Sequence, residues 1–226
     1  MRNLLAICML FGALAPMSYA QDSALPPLEE QVVEENTSLK ALRSVQTYME
    51  KVQSLEADFV QRAPNGNLAR GTLYMERPGH IRFDYQDDIP FLVVADGKTL
   101  NFIDYEIGQI TKWPVKDTPL RALLGTSTDL ASINAHIEFE PSGLKGLIAL
   151  AASDVDQPEL GEITVYFEEA PDLPGGLKLL SWVVLDAKGE ITTVELSRQE
   201  ANVELAENLW DFEDPRGSAK RRRPRR

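Results

Sequence analysis

Gly71-Thr72-Leu73-Tyr74-Met75-Glu76-Arg77-Pro78-Gly79, followed after His80 by Ile81-Arg82-Phe83-Asp84-Tyr85, is the stretch on which the fold turns. Large apolar residues fall on one parity, Leu73 and Met75 before the Pro-Gly break and Ile81, Phe83 and Tyr85 after it. A period of two marks a strand with one buried face, and Pro78-Gly79 supplies the turn between two such strands. Val93-Val94-Ala95-Asp96-Gly97-Lys98-Thr99-Leu100 repeats the arrangement around an Asp-Gly hairpin.

Outward from this core the same pattern predicts strands over 58–62, 68–77, 80–86, 90–95, 99–105 and 109–115, then 136–140, 144–151, 162–168, 177–186 and 190–198, with Leu209 to Phe212 closing the series. Turns fall at Pro64-Asn65-Gly66, Pro174-Gly175-Gly176 and Ala187-Lys188-Gly189. Short strands joined by hairpins make an antiparallel meander, and about eleven of them are enough to curl into a barrel or part of one. One long helix precedes them. Leu39, Leu42, Val45, Met49, Val52 and Leu55 recur at steps of three and four, and Asn36-Thr37-Ser38 would cap its start. Pro119 to Leu124 reads as a second, short helix.

The ends differ in character from the middle. Met1-Arg2-Asn3, the apolar run Leu4 to Leu14 and Ser18-Tyr19-Ala20 have the order of a cleavable secretory signal over residues 1–20. The run is shorter than the ~20 apolar residues of a bilayer span. Cys8, the one cysteine, lies inside the run and not at its cleavage point, so the exported chain is expected to carry neither thiol nor lipid anchor, which removes disulfides and thiolate chemistry. Residues 21–37 read as an acidic disordered leader, 38–217 as one domain, and 218–226 as a basic disordered tail. With a formal net charge of −12 the chain lacks the basic face of a nucleic-acid binder.

Catalytic signatures are scarce. His80 and His136 both sit within predicted strands, and His136-Ile137-Glu138 is a weak metal pattern that solvent-facing strand residues explain better. There is no Gly-x-Ser-x-Gly elbow and no glycine-rich phosphate loop. Asp84, Asp87 and Asp88 could in principle serve a glycosidase, but a strand end commonly carries such charges simply as a solvated turn. No metal and no cofactor is expected.

The strands carry Leu73, Met75, Ile81, Phe83, Tyr85, Leu100, Phe102, Val165 and Phe167 on one parity. By pattern alone they either fill a closed core or line a cavity. The segments Asp58-Phe59-Val60-Gln61, Gly71 to Gly79, Ile81 to Tyr85, Val93 to Leu100, and Thr118-Pro119-Leu120 with Leu123-Leu124 resemble, in order and spacing, the periplasmic outer-membrane lipoprotein carrier family, LolA. Trp210-Asp211-Phe212 with Pro215 and Gly217 is similar to that family's closing strand. The resemblance implies a mainly β fold with an α-helical lid, an incomplete antiparallel β-barrel enclosing a hydrophobic cavity lined by those nine residues. Leu42, Val45, Met49 and Val52 then fall on one lid helix, and Leu120, Leu123 and Leu124 on the other. Arg77 matches the arginine that locks the lid, a task suited to a planar, five-donor guanidinium.

The implied activity is that of a periplasmic chaperone, a monomer and not an enzyme. It takes acylated lipoproteins from an inner-membrane lipoprotein-releasing complex and passes them to an outer-membrane lipoprotein receptor. The acidic leader and the arginine-rich tail depart from the family. Two further readings stand beside this one: a lipid-sensing envelope regulatory protein of the same fold, and a periplasmic carboxylate-dependent hydrolase.

Overall fold

A single antiparallel sheet dominates the computed structural model, which describes residues 28–86, 89–126, 130, 134–154, 159 and 161–216. Its strands are β1 (Ser54–Arg62), β2 (Leu68–Glu76), β3 (His80–Tyr85), β4 (Phe91–Asp96), β5 (Thr99–Asp104), β6 (Gln109–Pro114), β7 (Asn134–Phe139), β8 (Leu147–Ser153), β9 (Gly161–Glu169), β10 (Leu177–Asp186) and β11 (Ile191–Ala201). The spatial order is β6-β5-β4-β3-β2-β1-β11-β10-β9-β8-β7. Two meanders are thus joined where β1 pairs with β11, and β6 and β7 remain edges, so the barrel stays open. The register is interrupted opposite Glu56/Asp58, where β11 carries an extra residue against β1, and at Leu179/Ser181, where β10 carries one against β9, the kind of bulge that bends a sheet.

Cross-strand pairs bring the apolar parity together: Leu73 lies opposite Phe83, Met75 opposite Ile81, and Val165 opposite both Leu150 and Trp182. Gly71 permits the tightest approach, since a Cβ there would collide with the Asp84 carbonyl oxygen and stand 2.8 Å from the Phe59 ring. Curvature turns this apolar face into a concave one.

Two helices cover the concavity, α1 (Leu28–Lys51) and α2 (Arg121–Leu124). Ala41, Val45, Tyr48, Met49 and Val52 from the first, with Ala122, Leu123 and Leu124 from the second, join the strand residues in one buried cluster. Gly175, in the turn before β10, touches α1 so closely that a Cβ would stand 2.6 Å from the Tyr48 Cα. A second, smaller cluster of Leu92, Val94 and Ile103 lies on the convex face under Trp210 and Phe212.

Three local expectations differ from what is found. α1 begins at Leu28, so Asn36-Thr37-Ser38 lie inside it and do not cap it; Leu28 to Glu35 contains neither proline nor glycine to stop a helix. Leu39 is exposed, and Leu55 belongs to β1. Leu209 to Phe212 is not a strand: Glu207–Trp210 is a 3-10 turn, and the segment crosses the convex face without joining the ladder. Residues 1–20, 21–27 and 217–226, which hold the signal, the start of the leader and the tail, lie outside the described residues, as do Asp87 and Asp88.

Candidate functional site

Arg77 stands at the end of β2 where the sheet meets both helices. It is 6% exposed, because Val52, Tyr48 and Leu123 close around it. Its Nη1 donates to the Val52 carbonyl at 2.7 Å, and Nη2 donates to the Leu123 carbonyl at 3.1 Å. Both acceptors come from the C-terminal ends of helical segments, where carbonyls lack intrahelical partners and the helix dipole favours a cation. The guanidinium carbon lies 5.6 Å from the centre of the Tyr48 ring, within cation–π range. Among the described residues no carboxylate pairs with it. Burial accordingly pulls its pKa below the ordinary guanidinium value, with the Tyr48 interaction opposing that shift. A further backbone bond, from Gly79 N–H to the Leu124 carbonyl at 2.9 Å, ties α2 to the same turn.

Leu73, Met75, Ile81, Phe83, Leu100, Val165 and Phe167 are buried on the concave face, with Tyr85 and Phe102 half-buried beside them. Val45, Met49, Val52, Leu123 and Leu124 pack onto that face from the helices, with Leu42 and Leu120 at its margin. Several buried contributors escape a reading of helix or strand periodicity. Tyr48 carries a polar tip, Trp182 follows an irregular register, and Ile148 and Leu150 lie in a nearly continuous apolar run where alternation is blurred.

Phe102, Phe91, Tyr85, Phe59, Phe83 and Trp182 form a connected line of rings, centroid to centroid 5.2–6.5 Å, running inward from the β5 side. The Tyr85 hydroxyl donates to Gln61 Oε1 at 2.8 Å, and burial raises its pKa. Two hollows open beside the free β6 edge. One, of about 740 Å³, lies between α2, the β2–β3 turn and the end of β6, with Leu124, Val115 and Trp113 in its walls and Lys98, Lys112 and Lys116 around it. The other, of about 310 Å³, is lined by Phe91, Phe102, Ile107 and Trp113, with Asp104, Gln109 and Thr111.

The titratable groups considered from sequence are scattered. His136 and Glu138 are exposed on β7, while His80 lies against Trp210 with ring centroids 5.0 Å apart. Asp84 accepts from Arg82 Nε at 2.7 Å. Among the described residues no group of three or more His, Cys, Asp or Glu could hold a metal ion, and no helix is long and apolar enough to cross a membrane.

The family model described as "Outer membrane lipoprotein carrier protein LolA" matches residues 50–213. The outer-membrane lipoprotein carrier protein of Albidiferax ferrireducens is 26% identical over 193 residues, covering 78% of this chain and 88% of its own. That of Nitrosomonas europaea is 28% identical over 187 residues, covering 78% and 86%. Among solved structures, a LolA superfamily protein from Nitrosomonas europaea aligns with TM-score 0.40 and 10% identity over 79% of this chain and 97% of that one.

Proposed function

This chain belongs to the outer-membrane lipoprotein carrier family, LolA, and from that premise we propose that it shuttles acylated lipoproteins by taking their acyl chains against the concave face of its sheet. One observation carries the reading. An apolar concave face is covered by two helices that a single buried arginine ties down through their carbonyls.

Each methylene left in water costs about 0.8 kcal/mol, so a sixteen-carbon chain costs on the order of 12 kcal/mol and does not cross an aqueous space unaided. A carrier must cover that chain and still release it. Here the lid's own apolar side chains occupy the face, and acyl chains would replace them. Opening then exchanges one set of apolar contacts for another. The net difference between closed and loaded forms is small, which lets cargo tip the balance. The hollows at the β6 edge offer a route by which a chain enters without separating the whole of α1 from the sheet.

On this reading the protein works in the periplasm, as a binding protein and not an enzyme, and as a monomer. It accepts cargo from an inner-membrane releasing complex and surrenders it to an outer-membrane receptor. The test is to isolate the protein from cells that express one lipoprotein in acylated and non-acylated forms. The acylated form alone is expected to copurify; equal recovery of both, or of neither, refutes the proposal.

A further inference from the structure

Beneath the lid, two buried polar atoms find no hydrogen-bond partner among the described residues: Arg77 Nε and the Tyr48 hydroxyl. Both residues are more than nine-tenths buried, at 6% and 2% exposure, and the guanidinium lies over the Tyr48 ring. Folded proteins rarely leave such atoms unpaired, because each buried orphan costs free energy. Tyr48 itself is wedged edge-on against Phe167, ring centroids 5.2 Å apart, so its hydroxyl is held at the concave core and does not swing out to solvent. The lid uses Nη1 and Nη2 of Arg77, leaving Nε as the guanidinium nitrogen it does not engage.

An acyl chain differs from a plain alkyl chain by one group, the carbonyl through which it is esterified or amidated. That carbonyl is an acceptor that must be desolvated when the chain is buried. Two unused donors at an otherwise apolar site match that need.

Resting on the carrier reading above, we propose that Arg77 Nε–H and the Tyr48 hydroxyl form the polar end of the lipid site, donating hydrogen bonds to the acyl carbonyl oxygens of the cargo. Arg77 thereby serves lid and cargo through different edges of one guanidinium, and Tyr48 positions it while adding a donor of its own. The site recognises acylation as a chemical state, and not merely chain length.

The test compares soluble lipopeptides below their micellar concentrations. One carries two O-octanoyl chains on a glyceryl thioether, a second carries O-octyl ether chains, and a third a single N-octanoyl amide. Binding to the full chain is measured by calorimetry. The wild-type protein is expected to prefer the O-octanoyl probe to its ether counterpart by about tenfold, the value of one well-placed hydrogen bond. In Tyr48→Phe, which removes a hydroxyl that finds no partner among the described residues, that ratio is expected to fall to about threefold with the fold intact. A preference confined to the N-octanoyl probe over its neutral thioamide counterpart, whose sulfur is a poor acceptor, supports the pair as a carbonyl site and assigns it to the amide. Equal binding of ester and ether probes, with no amide preference, overturns the inference while leaving the carrier reading standing. Binding of no probe removes both.

Discussion

Arg77 is a buried cation held by carbonyls and a ring face, an arrangement that costs desolvation and is returned only while the lid is in place. Arg77→Leu frees the Val52 and Leu123 carbonyls from their charged donor. Charge-assisted bonds are worth roughly 1.5–3 kcal/mol each, and the new apolar side chain offsets part of the loss. Amide exchange at Val52 and over 123–125 is expected to quicken about ten- to hundredfold, read by hydrogen–deuterium exchange; unchanged exchange would mean that these carbonyls do not hold the lid. Tyr48 gives a pH signature. Burial pushes its pKa up to about 12, against the lowering effect of Arg77, from an ordinary 10. The unfolded chain therefore loses this proton first as pH rises. Stability from Tyr48 is full below pH 10 and declines towards pH 12, by up to about 1.4 kcal/mol per pH unit. Urea midpoints at pH 9, 10 and 11 are expected to fall less in Tyr48→Phe than in wild type. Neither residue's burial was legible from spacing: an arginine before Pro78-Gly79 reads as a surface charge, and a tyrosine on a helix reads as polar margin.

At the scale of elements, α1 depends on a close contact that no hydrophobic pattern reveals. Gly175 has φ +77° and approaches the α1 backbone at Tyr48, so Gly175→Ala strains the turn and pushes the helix outward. A loss of about 1–3 kcal/mol in chemical denaturation is expected. The C-terminal segment is fastened differently. Arg82 Nη1 donates to the Leu209 and Asp211 carbonyls at 2.9 and 3.0 Å, while Trp210 and Phe212 cover Leu92, Val94 and Ile103. Arg82→Ala is expected to release this strap and speed its proteolytic cleavage at least several-fold, followed by mass spectrometry, with α1 protection unchanged. The strands β2 and β3 were legible because one face is buried and the other wetter, so period two survives in the sequence, whereas β4 is buried on both faces and reads as a continuous apolar run. The strap was not legible. Trp210 and Phe212 alternate as a strand does, yet they are apolar because they cap the convex face, and pattern alone cannot say which face a segment covers.

For the whole molecule, the decisive feature is the join of β1 to β11, which sets two meanders side by side and leaves β6 and β7 apart. Such long-range pairing leaves no mark in local spacing. The sequence implies many strands, one long helix and one short one, but whether the apolar parity closes on itself or is covered by helices rests on family resemblance. The open edge and the helical cover together make a face that is apolar, concealed and reachable. Cargo is expected to meet that face and not the convex one. Phe102 lies on the concave side of β5, one strand in from the β6 edge, and Tyr74 points from the opposite face of β2. With p-benzoylphenylalanine placed at either position in cells and irradiated, Phe102 is expected to crosslink to an acylated lipoprotein and not to its non-acylated form, while Tyr74 gives no adduct. Crosslinking from Tyr74 with none from Phe102 would contradict the concave face as the cargo site.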